Sequence, residues 1–509
     1  MKLKALLLFG LFAIGFGCSE ENLTRLDPGR VVPENFFQNE QQIESAILSA
    51  YSTLRSGPLV SRWYFFINDL RDDHHMPTSS LTILLSVPGG NINPADNEMR
   101  EHWTALYLLI HRANTALDGI NNNTTVADDV KNRLAAEARF LRGWAYNELA
   151  TQWGGVPIYT SRVTNLDQFQ PRASREESFA QAQSDLQFAA ENLPETRQDD
   201  QLGRATRGSA LGFLARSYME TDNLEEAKAA LEAVVASGRY SLVEDFGDLF
   251  VEENDFTSES LFEVVYAPIG DYNWNGFGTG DGSDSKSVRA QEYGKAWRNV
   301  APTSDLVNLY ENELGGCDYT DPRLRETVIF AGDTYGPGDT LVFDDARPNS
   351  PPIDYQGTSD TASFYKYEVY YKQDPGEFYT STTNYILMRY ADVLLLLAEI
   401  EARQGDLEAA RGYANQVRER AGVPDLEESC VPNETQEELI KAIIDERGKE
   451  LASESIRARD LRRWDRYGVI DAADYLDYWT DRELLLPIPL QEIITNTEVT
   501  QADQNPGYN

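Results

Sequence analysis

The chain has 509 residues, of which 83 are acidic and 45 are basic, so its formal net charge is −38. This charge argues against a nucleic acid as partner, because phosphate groups are bound by basic surfaces. With 41% hydrophobic residues, the chain is globular rather than disordered, and its length suits several domains or one large helical array. Four histidines and three cysteines argue against a multi-ligand zinc or iron–sulfur site.

The first 17 residues have the pattern of an export signal. Lys2 and Lys4 precede an apolar run at 5–16, which Gly17 and Cys18 follow. The run is shorter than the ~20 residues that span a bilayer, and no later segment reaches that length without charges. We predict a lipoprotein signal peptide at 1–17, lipidation of Cys18 and an extended tether at 18–38. A plain secretory signal with an incidental cysteine is the alternative.

Two features bear on the environment of the mature chain. Removal of the signal takes away Lys2 and Lys4 and so increases the excess of acidic residues. Such a charge repels itself at low salt and is screened at high salt, so we hypothesise a salt-rich habitat. Cys317 and Cys430 could form a disulfide in an oxidising location, and two buried free thiols are the alternative.

Apolar residues at spacings of three and four predict a series of helices between residues 39 and 193. The first begins near Asn39 and ends at Ser56-Gly57-Pro58, a sequence that stops helices. The next two cover about 98–121 and 128–153, and another covers about 174–193. Residues 57–97 lack this periodicity, so we predict irregular structure there.

Two later helix pairs share one spacing pattern. Apolar residues recur at relative positions 0, 3, 9, 12, 16 and 19, with Glu401 as the exception: Ala215, Tyr218, Leu224, Ala227, Leu231 and Val234 in one pair, and Ala398, Glu401, Leu407, Ala410, Ala414 and Val417 in the other. This is the tetratricopeptide pattern, in which small residues let two antiparallel helices approach. One such pair leaves an apolar face uncovered, so we expect the pairs to stack.

Residues 251–385 differ in composition from the helical parts. They are rich in glycine, asparagine, aspartate and aromatic residues, with short alternating runs at 261–267 and 364–371 that predict strands. We therefore predict a mostly α fold, a tetratricopeptide-like scaffold with long irregular loops and a few short strands. Its parts are an N-terminal helical part at 39–250, a loop-rich insertion at 251–385, and a C-terminal helical part with a closing segment at 386–509. The last part includes a helical run over about 434–464.

Four blocks of sequence carry a resemblance to a known family. They are RLAAEARFLRGWAYNELATQWGGVPI at 133–158, GRATRGSALGFLARSYMETDNLEEAKAALEAVVASGRYSL at 203–242, YILMRYADVLLLLAEIEARQGDLEAARGYANQVRERAG at 385–422 with IDERGKELASESIRARDLRRWD at 444–465, and the ending LLLPIPLQEI with QNPGY. Over nearly the whole mature chain, the sequence resembles the SusD/RagB family of Bacteroidetes outer-membrane nutrient-binding lipoproteins.

The resemblance implies a non-enzymatic binding protein without a cofactor. Proteins of that family capture an oligosaccharide, or less often a peptide, and pass it to a SusC-like TonB-dependent transporter. The implied location is the outer membrane, with a lipid anchor and exposure at the cell surface. Ser19-Glu20-Glu21 is similar to the surface-export tag of such lipoproteins. Two alternatives stay open, namely a tetratricopeptide-type protein-interaction scaffold and an anchored glycosidase.

Two loops have the composition of a sugar-binding site. Aromatic rings cover the CH faces of a sugar, and polar side chains bind its hydroxyl groups. The resemblance implies that both loops, the second of them in the insertion, contribute to the ligand site. The predicted ligand-binding residues are Trp63, Asn68, Asp72 and His74 in the first loop, and Tyr272, Trp274, Asn275, Tyr293, Trp297 and Arg298 in the second. For each tryptophan, the alternative is that it anchors its loop to the scaffold.

Three charged segments have structural explanations. The sequence DDHH at 72–75 has side chains that could bind a metal, but adjacent residues cannot all converge on one ion. The sequence DGSDS at 281–285 lacks the bidentate glutamate of a calcium loop. We therefore predict polar loops and no metal site. Arginines 459, 462, 463 and 466 lie on one predicted helix face, where we expect ion pairs with acids of neighbouring repeats.

Overall fold

Apolar residues at helical spacing form the helices of the computed structural model. The structure describes residues 36–508 except 80, 270–284, 312–318, 337, 339, 344–352, 356–357 and 370–379. The helices are α1 (Glu40–Leu54), α2 (Trp63–Asp69), α3 (Thr82–Ser86), α4 (Asn97–Asn122), α5 (Asp128–Trp153), α6 (Arg175–Asn192), α7 (Arg207–Met219), α8 (Leu224–Ala236), α9 (Arg289–Tyr293), α10 (Ser304–Glu311), α11 (Arg323–Thr327), α12 (Tyr390–Gln404), α13 (Leu407–Arg420), α14 (Gln436–Glu450), α15 (Arg457–Arg466) and α16 (Leu490–Thr495). The predicted mostly helical fold is confirmed.

The N-terminal helices begin where the sequence predicts. The Asn39 side chain caps α1 by accepting a hydrogen bond from the Gln42 backbone N–H at 3.0 Å. Ser174 caps α6 in a capping box with Glu177. Helix α5 packs against both α4 and α6, and its second half is buried on all sides. It is therefore the central helix of this part of the chain.

The two repeat pairs are α7 with α8 and α12 with α13, and they stack because α8 also packs against α12. The alanines of the pattern are fully buried: Ala215, Ala227, Ala398, Ala410 and Ala414. Glu401, at the position where the pattern has an aromatic residue, is buried, and its Oε1 lies 2.7 Å from Lys228 Nζ of the other pair. An ion pair between the stacked pairs thus replaces the expected aromatic contact.

Short antiparallel strands connect the loops to the helices. They are β1 (His75–Pro77), β2 (Ser260–Val264), β3 (Val300–Pro302), β4 (Val328–Phe330), β5 (Thr334–Tyr335), β6 (Leu341–Val342), β7 (Ile353–Tyr355), β8 (Thr358–Asp360), β9 (Ala362–Phe364) and β10 (Tyr385–Arg389). The pairs are β1 with β3, β2 with β10, β4 with β9, β5 with β6 and β7 with β8. In the first pair, His75 is opposite Pro302 and Pro77 is opposite Val300. Because the pair is antiparallel, the chain before β3 lies beside the chain after β1, at Thr78.

Two predicted segments differ from the structure. The helical run predicted over 434–464 is the two helices α14 and α15, because the chain turns between them, where Ser453 and Ser455 both have a φ of 60°. Residues 57–97, predicted to be irregular, contain α2 and α3. Helix α2 is buried from Tyr64 to Asp69, so its apolar residues form a continuous run without the amphipathic stripe that predicts a helix.

The closing segment packs against the end of α5. The indole N–H of Trp153 donates to the Pro487 carbonyl at 2.9 Å. The Asn505 side-chain amide donates to the carbonyls of Trp153, at 3.0 Å, and Leu486, at 2.6 Å. One of these hydrogen bonds satisfies the Trp153 carbonyl at the end of the central helix, and the other two satisfy carbonyls of the closing segment.

A set of buried ion pairs joins β10, α13 and α14. We call it the Arg389 network, and its members are Glu259, Arg323, Arg389, Arg420, Glu450 and Glu454. Arg389 contacts Glu259 at 2.6 Å and Glu454 at 2.8 Å, and it also contacts Glu450. Glu450 additionally pairs with Arg323, at 2.7 Å, and with Arg420. Each charge in this region of the interior therefore has an opposite charge beside it.

Several predictions about the chain ends and cysteines stay predictions. The signal peptide, Cys18, the tether up to residue 35, and Cys317 lie outside the described residues. Cys430 is disulfide-bonded, so the alternative of two buried free thiols is wrong. None of the helices in the described part of the chain combines the length and the apolar content that crossing a bilayer requires. The division at 251 and 386 and the salt-rich habitat also stay predictions.

Candidate ligand-binding site

The chain path brings two of the predicted tryptophans to one place. Trp63 is the first residue of α2, and Trp297 lies between α9 and β3. The antiparallel pairing of β3 with β1 holds the segment that carries Trp297 beside the residues that follow β1. Arg62 joins the two segments, since its Nε donates to Glu292 Oε1 of α9 at 2.6 Å.

Arg62, Trp63 and Trp297 form a half-buried group that we call the Arg62 cluster. The guanidinium carbon of Arg62 lies 4.5 Å from the centre of the Trp63 ring and 6.0 Å from that of the Trp297 ring. Both distances allow cation–π attraction. The indole N–H of Trp63 donates to Glu101 Oε2 at 2.9 Å, which fixes the orientation of the ring.

Backbone hydrogen bonds hold the segment around Trp297. The Trp297 N–H donates to the Gln291 carbonyl at 2.9 Å, and the Thr78 N–H donates to the Asn299 carbonyl at 3.0 Å. Arg298, between them, has a φ of 48°, a left-handed conformation that residues other than glycine rarely adopt. Such strain is concentrated at functional sites, where the surrounding structure fixes it. The position of Trp297 is therefore set by its neighbours.

The Arg62 cluster offers both kinds of contact that a sugar requires. A half-buried indole can cover a CH face, and the guanidinium of Arg62 can donate to ring hydroxyls. Glu101 and Glu292 already accept hydrogen bonds from Trp63 and Arg62. These carboxylates therefore orient the cluster, and the arrangement suits stacking and hydrogen bonding rather than proton transfer.

The other predicted site residues lie in the interior or outside the described residues. Buried side chains belong to Asn68, Asp72, His74, Tyr293 and Arg298. Outside the described residues lie Tyr272, Trp274 and Asn275. Asn68 is an example of the buried group, because its Oδ1 accepts from Gln152 at 2.7 Å and its Nδ2 donates to the Tyr64 carbonyl at 2.8 Å. A ligand role for these eight residues stays a prediction.

Asp69, Asp72 and His75 form a buried ion cluster in the interior. Their ligand atoms lie within 4.8 Å of one another, a spacing that could hold a metal ion. His75 Nδ1 is 2.9 Å from Asp72 Oδ1, and its Nε2 is 4.0 Å from Asp69 Oδ2. Arg289 Nη1 lies 3.5 Å from the same Asp69 oxygen. Two carboxylates thus face a histidine and an arginine, so the charges balance when His75 is protonated.

His75 has the one raised pKa among the four histidines of the chain. Burial opposes its charge, but the attraction of Asp72 and Asp69 outweighs burial and raises the pKa of His75 above 6.5. Burial raises the pKa of Asp72 to about 6. Burial also lowers the pKa of His74 to about 3 and that of His102 to about 4, so both are neutral at neutral pH.

We expect the His75→Gln variant to lose part of the pH dependence of folding. A pKa that is raised on folding stabilises the folded state fully below the unfolded value, near 6.5, and this contribution is lost as the pH rises through the folded value. As the pH rises above about 6.5, the free energy of unfolding of the wild type should fall, relative to the variant, by at most ~1.4 kcal/mol per pH unit. Urea unfolding at several pH values measures this difference.

The matched control for this experiment is His111→Gln. His111 is exposed and its pKa is lowered from 6.5, mainly by partial burial, so above about pH 7 it is mostly neutral in both the folded and the unfolded state. The control should keep the wild-type slope. Equal slopes in the wild type and the His75→Gln variant would show that His75 is not protonated in the ion cluster.

A cavity of about 1020 Å³ lies beside α10, α14 and residues 467–475. We call it the acidic cleft, because its walls include Asp73, Asp305, Asp445, Asp471 and Asp474. His74, a predicted site residue, also lines it, whereas Trp63 and Trp297 do not. Burial raises the pKa of Asp305 and Asp445, which are close to other acids. Tyr467 and Tyr475 also line the cleft, but their phenol rings offer a smaller apolar surface to the CH faces of a neutral sugar than the indoles of the Arg62 cluster do.

Sequence reasoning missed three residues that organise these sites. Glu101 and Glu292 lie 38 and 230 residues from the partners that they orient. No local pattern connects residues so far apart along the chain. Asp69 precedes Asp72 by three residues, and a helical spacing between the two could have indicated that both carboxylates face one side.

Comparison with known families gives matches along most of the chain. A model described as "SusD family" matches residues 258–508. A second model, described as "Starch-binding associating with outer membrane", matches residues 28–219. Two SusD-like proteins of Formosa agariphila are similar to the chain over nearly their whole length. One is 25% identical and covered over 100% of both chains, and the other is 27% identical and covered over 97% of both.

Solved structures share the fold. A SusD homolog from Bacteroides thetaiotaomicron has a TM-score of 0.76 at 22% identity, covering 96% of this chain and 100% of its own. A structure named as a laminarin binding SusD-like protein has a TM-score of 0.73 at 24% identity, covering 92% and 100%. The surface glycan-binding protein A of Bacteroides fluxus has a TM-score of 0.72 at 23% identity, covering 92% and 100%. At these identities the likeness shows the fold alone.

Proposed function

Because this chain belongs to the SusD/RagB family, we propose that it is a surface lipoprotein that binds an oligosaccharide without cleaving it and passes it to a SusC-like TonB-dependent transporter. The observation that carries the proposal is the Arg62 cluster, in which two half-buried indoles lie next to one guanidinium. Relatives with the same fold are named for binding laminarin and surface glycans, and one matching model describes starch binding.

The local chemistry favours binding over hydrolysis. A glycosidase needs two carboxyl groups that are free to act on the scissile bond as acid and as base or nucleophile. Near the Arg62 cluster, Glu101 accepts from the Trp63 indole at 2.9 Å and Glu292 accepts from Arg62 at 2.6 Å. Both carboxylates are committed to holding the binding side chains, which supports a non-catalytic role.

The packing of the repeat pairs bears on the scaffold alternative. A tetratricopeptide array binds peptides on a concave helical face that is left open to solvent. Here α8 packs against α12, and α14 packs against α12 and α13, so helices of both pairs are covered by other helices. This packing supports a structural role for the repeats and a ligand site in the loops.

Affinity electrophoresis with a panel of neutral polysaccharides tests the proposed function. We expect at least one polysaccharide to retard the mature protein, with no release of shorter sugars on long incubation. Released product would favour the glycosidase, and no retardation by any polysaccharide would favour the scaffold. Co-purification of a large β-barrel protein from the native outer membrane would support the transporter partnership.

We expect the Cys18→Ala variant to lose its membrane association. Each CH₂ of an acyl chain contributes ~0.8 kcal/mol when buried in lipid, so several chains on Cys18 would anchor the protein stably. Fractionation of native cells, followed by immunoblotting of membrane and soluble fractions, measures the change. A matched variant, Ser19→Ala, should stay with the membrane. A Cys18→Ala protein that still sediments with membranes would contradict the lipid anchor.

A further inference from the structure

Two buried arginines lie side by side without a carboxylate. Arg71 follows α2 and is 2% exposed, and Arg462 lies in α15 and is 4% exposed. Both guanidinium groups donate to the same carbonyl oxygen, that of Glu483, at 3.0 Å and 2.9 Å. Arg462 Nη1 also donates to the Arg71 carbonyl at 2.9 Å, so the two side chains are in one small volume.

The absence of an ion pair distinguishes these two residues from their neighbours. In α15, Arg457 pairs with Asp73 at 2.8 Å and Arg463 pairs with Glu399. Over the described residues, by contrast, no carboxylate oxygen lies within 4.0 Å of Arg71 or Arg462. The expected pairing of the α15 arginines with neighbouring acids therefore holds for some of them and not for Arg462.

The acids that act on this pair at longer range have other partners. The Asp72 carboxylate attracts the Arg462 guanidinium from a distance, but its Oδ1 lies 2.9 Å from His75 Nδ1. The Glu483 carboxylate attracts both guanidinium groups from a distance, but its Oε1 lies 3.0 Å from Arg482 Nε. Burial, followed by repulsion from Arg462, lowers the pKa of Arg71 to about 9. Two positive charges thus share a dry environment in which a charge without a counter-charge is costly.

Hydrogen-bond donors are also left over at this place. Arg71 Nε, Arg462 Nη2 and the Tyr478 hydroxyl are buried, and none of them makes a hydrogen bond of regular geometry among the described residues, although the Tyr478 hydroxyl interacts with Arg462. The Tyr478 side chain is a neighbour of both guanidinium groups. Nearly all buried donors in folded proteins are satisfied, so three in one place indicate an acceptor that belongs there.

We propose that Arg71, Arg462 and Tyr478 bind one buried halide ion, which is chloride in salt water. A monatomic anion accepts several N–H and O–H donors at once and supplies the negative charge that the two arginines lack. A water molecule would satisfy the donors but leave the charge. Phosphate or sulfate would bring four oxygens to only three free donors. The number of donors therefore favours a monatomic anion. The site is separate from the Arg62 cluster and would stabilise the fold rather than bind the nutrient.

Two measurements on the wild-type mature protein test the proposal. In a crystal soaked in sodium bromide, we expect an anomalous peak within hydrogen-bonding distance of Arg71 Nε and Arg462 Nη2. In thermal unfolding at constant ionic strength, replacing gluconate by chloride should raise the folding equilibrium constant. The expected rise is about tenfold for each tenfold increase in chloride concentration above the Kd of the site. Keeping the ionic strength fixed separates binding from the screening of the acidic surface.

The Arg462→Met variant should remove the difference between chloride and gluconate, and Arg466→Met serves as the control on the same helix. Arg466 is partly exposed, and its Nη1 lies 3.9 Å from Glu220 Oε2, so it already has a carboxylate beside it. Its replacement should therefore leave the chloride effect unchanged. If Arg462→Met does not fold, the presence or absence of the bromide peak in the wild type tests the halide site. A crystal without that peak, or equal stabilisation of the wild type by chloride and gluconate, would overturn the halide site.

Discussion

Replacing both Trp63 and Trp297 by alanine is expected to reduce the affinity for the bound oligosaccharide by about a hundredfold or more. A tryptophan that anchors a ligand typically contributes ~2 kcal/mol, and 1.4 kcal/mol corresponds to a tenfold change in Kd. Each single variant should therefore weaken binding by about tenfold or more. Isothermal titration with the best polysaccharide or oligosaccharide from the panel measures the effect.

The matched control is Tyr475→Ala, which alters an aromatic residue in the acidic cleft. Tyr475 is partly exposed and packs near Arg457, at 5.2 Å from the guanidinium carbon to the ring centre. If the ligand binds at the Arg62 cluster, this variant keeps the wild-type affinity. Loss of binding in Tyr475→Ala, with wild-type affinity in the double tryptophan variant, would move the ligand to the acidic cleft.

Replacing Glu450 by glutamine is expected to lower the free energy of unfolding by ~3–5 kcal/mol. The Glu450 carboxylate is fully buried and is shared by Arg323, Arg389 and Arg420. Glutamine keeps the shape of the side chain but removes its negative charge, so all three arginines lose a counter-charge that they share in a low-dielectric interior. Chemical unfolding followed by circular dichroism measures the loss.

Glu419→Gln is the control for this variant. Glu419 is the residue before Arg420 in α13, but it is exposed, and surface charges of this kind contribute ~0–1 kcal/mol. A loss of under 1 kcal/mol in Glu450→Gln as well would mean that the Arg389 network adds little to stability. It would also mean that packing alone connects β10, α13 and α14.

The helices could be predicted from the sequence where one face is apolar and the ends carry strong signals. Helix α1 has both, because Asn39 caps it and Gly57-Pro58 follow it. The break between α14 and α15 could not be predicted, since serines rarely adopt the left-handed conformation found at Ser453 and Ser455. Contacts distant in sequence fix that turn, such as the hydrogen bond from Tyr385 to Ser455 at 3.1 Å.

The candidate site was only partly predictable for the same reason. Composition indicates aromatic and polar loops, and this suffices to select Trp63 and Trp297. It does not distinguish a side chain that faces solvent from one such as Asp72, whose neighbours are polar but whose position is interior. That distinction depends on the pairing of β1 with β3, which brings residues 75–77 against 300–302. A pairing over such a separation leaves no local pattern in either segment.

A crystal structure with the shortest oligosaccharide that binds would locate the sugar without any substitution in the protein. We expect a sugar ring stacked on the indole of Trp63 or Trp297, with a hydroxyl group within hydrogen-bonding distance of the Arg62 guanidinium. A sugar found in the acidic cleft, with the Arg62 cluster empty, would contradict this expectation.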